Sequence, residues 1–209
     1  MAKKGYFITF EGIDGCGKST QLENVKNFLE ENGIDCVTTR EPGALKMGSQ
    51  IREILLHYDG VVADNCEMFL FLADRAQHVE TFIKPMLAEG KVVLCDRHKD
   101  SHIAYQGYGR QADIEQIKKL NEIAVNGLEP DLTFLFDVSV ETGHARAGKD
   151  LDRLELAGKE FFERTRDGYL KLAEENPARI KVINAEKSKE SVYNDVKSLI
   201  IDIIGLQKG

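Results

Sequence analysis

Close to its N-terminus the chain reads Phe10-Glu11-Gly12-Ile13-Asp14-Gly15-Cys16-Gly17-Lys18-Ser19-Thr20. This stretch satisfies the pattern G-x-x-x-x-G-K-[S/T] in full. The apolar run 6–10 before it is typical of a short strand, and the chain from Lys18 onward is typical of an amphipathic helix. A strand, a glycine-rich turn and a helix N-terminus in this order attract phosphate, because free backbone N–H groups and the helix dipole both favour anions.

The motif predicts that the chain binds a nucleoside triphosphate together with Mg²⁺. Lys18 can reach the β- and γ-phosphates, and the hydroxyl of Ser19 can ligate the metal. A glycine-rich turn without a ligand is the alternative, and the complete motif with correct flanks argues against it. The expected triphosphate contacts are Gly12, Ile13, Asp14, Gly15, Cys16, Gly17, Lys18, Ser19 and Thr20.

The bulk properties are typical of a single enzyme-sized domain over residues 1–209. A formal net charge of −7 argues against a nucleic-acid groove or an anionic membrane as the main partner. No apolar run approaches the roughly 20 residues that a membrane span needs. The start of the chain leaves no room for a signal peptide, and the four cysteines show no C-x-x-C spacing. We therefore expect a cytoplasmic protein with reduced thiols and no zinc site.

Apolar runs alternate with helical patterns along the whole chain. Such alternation predicts an α/β fold, with a parallel sheet flanked by helices on both faces. Five strands are expected, at 6–10, 35–40, 91–96, 132–137 and 179–183. Helices are expected from Lys18 to before Gly33, at 50–58, 65–89, 101–105 and 113–126, and along a closing stripe at 192–203. Asn65 is the expected cap of the long helix, and Gly90 its stop. The charged stretch 146–163 is too polar to be core and, taken alone, is typical of a solvated helix face.

Further charged residues fall where the phosphates are expected. Asp96 and Arg97 close an apolar strand, so that Asp96 can hold a Mg²⁺ water and Arg97 can reach into the cleft. Helix capping is the alternative for Asp96. Arg40, Arg75 and Arg146 add guanidinium donors on nearby loops or helix faces. Several such donors around two polyphosphates are what phosphoryl transfer between nucleotides requires.

Five segments that occur in a fixed order resemble the bacterial thymidylate kinases. They are 10–15, Thr39-Arg40-Glu41-Pro42-Gly43, 70–75, Asp96-Arg97 with 101–107, and Asp152-Arg153-x-Glu155. The resemblance runs from about Tyr6 to the last helix. It implies a P-loop nucleoside monophosphate kinase fold that passes the γ-phosphoryl of ATP to dTMP, uses ATP and Mg²⁺, and forms a homodimer.

Matched by position, the resemblance also implies the roles of individual residues. Phe71 stacks on thymine, Arg75 donates to a base carbonyl, and Tyr105 excludes a 2′-hydroxyl. A lid at 144–156 carries Arg146 over the ATP phosphates, because the loop has Cys16 where some members have a basic residue. The implied catalytic residues are Asp14, Lys18, Arg97 and Arg146, and the implied Mg²⁺ residues are Ser19 and Asp96. The implied dTMP residues are Arg40, Glu41, Arg52, Phe71, Arg75, Arg97, Ser101, His102, Tyr105 and Gln106.

Alternatives remain open at this point. Taken alone, Phe71 is typical of core packing, Arg75 of a helix surface, and Tyr105 of a buried aromatic. Ala44, His98 and His102 depart from the family pattern, which places the shape of the acceptor pocket in question. The acceptor could be dUMP, another monophosphate or a nucleoside. A nucleotide-dependent switch without an acceptor is a different class of function, although no Asn-Lys-x-Asp run for guanine is present.

Overall fold

The computed structural model describes residues 4–147 and 158–206. In this part of the chain five strands form one parallel sheet in the order β2-β3-β1-β4-β5. They are β1 (Tyr6–Glu11), β2 (Cys36–Arg40), β3 (Val92–Asp96), β4 (Leu132–Asp137) and β5 (Ile180–Asn184). The expected five-stranded α/β architecture is confirmed, and each strand lies within a residue or so of its expected position.

All described helices except the last connect successive strands, as crossovers between parallel strands require, and the last follows β5. They are α1 (Lys18–Glu31), α2 (Lys46–His57), α3 (Asp64–His78), α4 (Lys84–Ala88), α5 (Lys99–His102), α6 (Ile114–Val125), α7 (Val140–Arg146), α8 (Lys159–Glu175) and α9 (Lys189–Ile204). A π-helical segment, Val79–Ile83, joins α3 to α4, and a second, Ile103–Gly109, continues α5. No described helix has the length and apolar character that crossing a bilayer demands.

Several expected helix boundaries are wrong. Helix α2 begins four residues before position 50, and the expected cap Asn65 lies inside α3, whose N-cap is Ala63. The helix expected at 101–105 lies inside a longer helical segment, α5 and the π-helical turn that continues it, which runs from Lys99 to Gly109. The stop signals are confirmed, since Gly33 and Gly90 follow their helices with φ of 68° and 78°.

The expectation that 146–163 lies outside the core is wrong at its C-terminal end. Phe161 and Phe162 are 4% and 2% exposed, because they begin the buried face of α8. That helix was not anticipated, since charged residues dominate its first turns. Residues 148–157, which include most of the expected lid and the Asp152-Arg153-x-Glu155 motif, lie outside the described residues.

The central strand β1 positions the site. Phe7, Ile8 and Phe10 are fully buried because helices cover the sheet on both sides. In the register of the sheet, Phe10 pairs with Asp96, and Asp96 pairs with Arg40. The carboxyl ends of three strands therefore meet at one edge, which is where ligands bind in open parallel sheets.

Candidate active site

The glycine-rich loop lies between β1 and α1. Gly12, Gly15 and Gly17 all have positive φ, and a Cβ on Gly15 would lie 2.0 Å from the carbonyl oxygen of Gly143. Only glycine tolerates both the backbone conformation and this approach. Lys18 is buried, and its Nζ donates to the carbonyl oxygens of Gly12 at 3.0 Å and of Ile13 at 3.1 Å. The ammonium group therefore lies over the loop, and no side chain caps the first turn of α1.

A first cavity of about 750 Å³ opens above this loop. This volume suits a nucleotide. Its wall contains Asp14 to Gln21 of the loop and α1, together with Arg40, Glu41, Arg52, Asp96, Arg97, Arg146 and the segment that follows β5.

Ser19 and Asp96 line this cavity together, and both also line a smaller groove beside it. Oδ1 of Asp96 is buried and has no hydrogen-bond partner in the described residues. An unpartnered carboxylate oxygen and a hydroxyl that line one cavity are a donor set that suits Mg²⁺ and its bound waters. These two residues therefore fit the metal that the motif implies.

Arg97 is the centre of the polar network. Its φ is 68°, an uncommon conformation for a residue other than glycine. Nη1 donates to the carbonyl oxygen of Gly12 at 2.9 Å and to Oγ of Ser101 at 3.2 Å. Nη2 donates to Oδ1 of Asp14 at 2.6 Å and to the hydroxyl of Tyr105 at 3.2 Å. The guanidinium thus lies directly behind the phosphate loop.

Asp14 is ionised in this arrangement. Burial alone would raise the pKa of its carboxyl group, but Arg97 and Lys18 outweigh that effect and lower the pKa to about 2. Asp14 is therefore a poor general base near neutral pH and is better suited to orienting charged groups.

A second, narrower cavity shares Asp14, Glu41, Arg52 and Arg97 with the first. The remaining residues that line it are Pro42, Leu56, Phe71, Arg75, His98, Ser101, His102, Tyr105 and Gln106. Every residue expected to bind dTMP lines this cavity except Arg40, which lines the first. The two cavities thus adjoin at these four shared residues, which include Asp14 and Arg97.

Glu41 and Arg75 form a buried ion pair beside this second cavity. Each side chain is 2% exposed, and Nε of Arg75 donates to Oε2 of Glu41 at 2.8 Å. Nδ1 atoms of His78 and His98 lie 2.9 and 3.0 Å from Oε1 of Glu41. Burial would raise the pKa of Glu41, but His98 and Arg75 outweigh it and hold the pKa well below its usual value. Arg75 is therefore a buried side chain, and the interpretation of Arg75 as a charge on a helix surface is wrong.

The tautomer of His102 follows from its neighbours. Oδ1 of Asn121 accepts from Nη1 of Arg75 at 2.7 Å, and Nδ2 donates to the carbonyl oxygen of Ile117 at 2.9 Å, which fixes the amide. Nδ2 of Asn121 and Nη1 of Arg75 lie 3.2 and 3.4 Å from Nδ1 of His102. Since both are donors, Nδ1 accepts and Nε2 carries the proton.

His102 consequently offers one unused donor. Its Nε2 is buried without a partner in the described residues. Burial, with Arg75 second, lowers the pKa of His102 to about 3, so the ring is neutral near pH 7. A neutral imidazole at the wall of the second cavity can donate one hydrogen bond to an acceptor atom of a ligand.

Other expected residues already have partners. Nη1 of Arg146 donates to the carbonyl oxygen of Ala185 at 2.8 Å, in the segment after β5. Nη1 of Arg52 donates to the carbonyl oxygen of Pro42 at 3.1 Å, and Nε2 of Gln106 donates to Glu67 at 3.0 Å. Phe71 is half-buried, and its ring centre lies 5.8 Å from that of His102.

The departures from the family pattern leave the pocket intact. The described non-glycine residues with positive φ are Arg97, Gln111 and Asn126, so Ala44 needs no left-handed backbone. His98 is fully buried, and its Nδ1 forms a hydrogen bond with Oε1 of Glu41.

Sequence reasoning missed several residues of this network, above all Glu11, His78, Asn121 and Tyr169. Glu11 could have been found, because a carboxylate at the end of an otherwise apolar strand must have buried partners.

The chain matches the family model described as thymidylate kinase over residues 10–196. It is 48% identical to a thymidylate kinase of Exiguobacterium sp., an alignment that covers 98% of this chain and 99% of the relative. It is 43% identical to a thymidylate kinase of Maridesulfovibrio salexigens, over 95% and 96% of the two chains. A crystal structure of thymidylate kinase from Ehrlichia chaffeensis superimposes with a TM-score of 0.78 at 35% identity, over 94% of this chain and 99% of the other.

Proposed function

This chain belongs to the thymidylate kinase family, and from that premise we propose how its residues transfer the γ-phosphoryl of ATP to dTMP, giving ADP and dTDP. One observation supports the assignment most: the cavity above the complete phosphate loop and the cavity beside Phe71 share a wall at Asp14 and Arg97. A donor and an acceptor bound there would face each other.

The donor side consists of the loop from Gly12 to Thr20. Its backbone N–H groups and Lys18 bind the phosphates of ATP. Ser19 and Asp96 would hold Mg²⁺, which neutralises charge on the phosphates when bound. Lys18 must then exchange the carbonyl oxygens of Gly12 and Ile13 for phosphate oxygens.

At the transfer step, Arg97 stabilises the charge of the moving phosphoryl group. Its guanidinium reaches both cavities, and Arg40 adds a second cation on the donor side of the shared wall. Asp14, which stays ionised, orients Arg97 and the acceptor. Direct in-line transfer without a covalent intermediate follows, because positioning and charge stabilisation suffice when both reactants are held in line.

The acceptor side reads the base by donated hydrogen bonds. Nε2–H of His102 has no partner among the described residues, and Arg75 lines the same cavity, which suits a pyrimidine that carries a carbonyl oxygen at C4. Phe71 stacks on the ring. Tyr105 fills the space that a 2′-hydroxyl would need, while Ser101 and Gln106 complete the pocket.

Closure of the lid at 144–156 would bring Arg146 from the carbonyl oxygen of Ala185 onto the phosphates of ATP. The guanidinium of Arg146 would need to move only a short way, because Arg146 already lines the first cavity. Closure would also exclude water, so that hydrolysis does not compete with transfer.

We further propose that the protein is a cytoplasmic homodimer of one domain per chain. Large apolar side chains are exposed on two packed helices and the turn between them, including Met47, Ile54, Tyr58 and Phe69, which are 42–56% exposed. Exposed apolar side chains on two packed helices fit a second copy of the chain.

A panel of acceptors tests the proposed activity. Purified protein with ATP and Mg²⁺ receives dTMP, dUMP, dCMP or thymidine, and ADP release is measured. We expect the fastest release with dTMP, a slower one with dUMP, and almost none with dCMP or thymidine. ADP release that does not depend on any monophosphate would instead favour the nucleotide-dependent switch. A Lys18→Ala variant controls for contaminating kinases.

A further inference from the structure

Glu11 is a buried acid that the proposed transfer does not use. Burial, followed by the charge of Asp100, raises the pKa of its carboxyl group to about 7, although Ser101, Arg97 and His98 act in the opposite direction. It is the last residue of β1 and is fully buried. Oε1 accepts from the backbone N–H of His98 at 2.7 Å. Oε2 accepts from Oγ of Ser101 at 2.5 Å and from the hydroxyl of Tyr169 at 3.0 Å. Both carboxylate oxygens are thus committed to groups that surround Arg97.

The two hydroxyls connect Glu11 to the guanidinium. Nη1 of Arg97 donates to Ser101 and to Tyr169, each at 3.2 Å. A hydroxyl that donates its single hydrogen to Glu11 must present its lone pairs to Arg97. The two hydroxyls also share a hydrogen bond with each other, at 2.7 Å. Glu11, Ser101 and Tyr169 therefore form one hydrogen-bonded network, and this network sets the position of Nη1.

The same carboxylate also holds the backbone beside Arg97. Arg97 has a φ of 68°, which costs energy for a residue with a Cβ. Its own N–H donates to the carbonyl oxygen of Phe10 at 3.0 Å, and the next N–H donates to Glu11. Two consecutive bonds to β1 thus keep the left-handed backbone in place.

We propose that Glu11 is a positioning residue that holds Arg97, through its backbone and through two hydroxyls, in the orientation needed to bind the acceptor phosphate and the transferring group. The proposal rests on the function proposed above for Arg97. It assigns no contact between Glu11 and a substrate.

The substitution Glu11→Gln tests this proposal, because it keeps the shape and reverses the hydrogen bonding at one atom. An amide N–H would face the two hydroxyls, which would turn and present their hydrogens toward Arg97. We expect kcat/KM for dTMP to fall about 10- to 100-fold, as for a lost hydrogen bond to a charged group. The fall should be divided between a lower kcat and a higher KM for dTMP, while the KM for ATP changes by no more than about twofold.

A merely structural role would give a different result. Partial unfolding lowers the active fraction, so kcat would fall with both KM values unchanged. Asp137→Asn is the matched control, because Asp137 has a similar place in the fold. Asp137 ends β4 and accepts from Arg166 of α8 at 2.6 Å, whereas Glu11 ends β1 and accepts from Tyr169 of the same helix. This control should leave both KM values and kcat unchanged.

A double-mutant cycle separates this proposal from the proposed function. In an Arg97→Lys background, Glu11→Gln should have less than about twofold further effect on dTMP binding measured by calorimetry, because both changes act through one guanidinium. An unchanged kcat/KM for folded Glu11→Gln, or fully additive effects, would overturn the positioning role. Wild-type protein that binds no dTMP would instead overturn the proposed function.

Discussion

At the scale of single residues, the acceptor site is built from charges that are buried but paired. Glu41 receives bonds from Arg75, His78 and His98, and all four side chains are at most 2% exposed. Removing one member of such a group leaves the others without compensation. These residues therefore affect stability as well as binding.

Glu41→Gln should destabilise the protein by about 3–5 kcal/mol near pH 7, because it leaves Arg75 buried without its carboxylate. The folded pKa of Glu41 lies below its unfolded value of 4.5, so the ionised carboxylate stabilises the fold above that pH. Its contribution is lost as the pH falls through the folded pKa. Urea unfolding at several pH values should show that the difference in the free energy of unfolding between variant and wild type becomes smaller below about pH 4.5.

Glu23→Gln is the control for this measurement, since Glu23 forms a solvent-exposed pair with Lys26. An unfolding midpoint of Glu41→Gln equal to that of wild type would show that the buried network contributes no net stability.

His102→Leu removes the donor at Nε2 and keeps a similar volume. We expect the KM for dTMP to rise about tenfold, as for one neutral hydrogen bond, with an unchanged KM for ATP. The preference for dTMP over dCMP should fall as well. Initial rates with each acceptor measure both effects, with the exposed His57→Leu as control. An unchanged preference between the two bases would exclude His102 from base recognition.

At the scale of elements, the donor and acceptor halves differ in how far the sequence predicts them. The phosphate loop is contiguous from Gly12 to Thr20, so one motif predicts the strand, the turn and the helix together. The network around Arg97 joins β1, the loop after β3, and α8. Spacing along the chain carries no signal for Tyr169, because its contact with Arg97 spans 72 residues.

Helix α8 was not anticipated for a similar reason. Its charged residues are conspicuous, but the apolar side chains at Phe161, Phe162, Tyr169 and Leu172 form a buried face. Spacings of seven (Phe162 to Tyr169) and three (Tyr169 to Leu172), which place side chains on one helix face, were present in the sequence. The π segments at Val79–Ile83 and Ile103–Gly109 depart from the 3.6-residue period and give no such pattern.

Arg146→Ala tests the proposed movement of the lid. The short helix α7 ends at Arg146, whose hydrogen-bond partner within the described part of the chain is the carbonyl oxygen of Ala185. If Arg146 stabilises the transferring group, kcat should fall about a hundredfold, while the dissociation constant of dTMP changes little. Rapid kinetics and calorimetry measure the two quantities. Arg164→Ala is the control, because Arg164 binds the carbonyl oxygen of Gly109. Unchanged turnover would remove Arg146 from the mechanism.

At the scale of the whole molecule, the apolar surface on α2 and α3 predicts association. Phe69 is 56% exposed in the middle of α3, and a charge there would be buried without a partner in a dimer. Phe69→Glu should convert a dimer of wild-type protein to a monomer in light scattering, whereas Val182→Glu on β5 should not. Wild-type protein with the mass of one chain would contradict the homodimer.

The proposed transfer depends on two cavities that adjoin at Arg97, because one sheet edge gathers the ends of β1, β2 and β3. The most direct test is a crystal structure with a non-hydrolysable ATP analogue, Mg²⁺ and dTMP. We expect the analogue above the phosphate loop, thymine beside Phe71 and His102, and the two terminal phosphates facing each other next to Arg97. A structure in which dTMP lies elsewhere, or in which the second cavity stays empty at saturating dTMP, would contradict it.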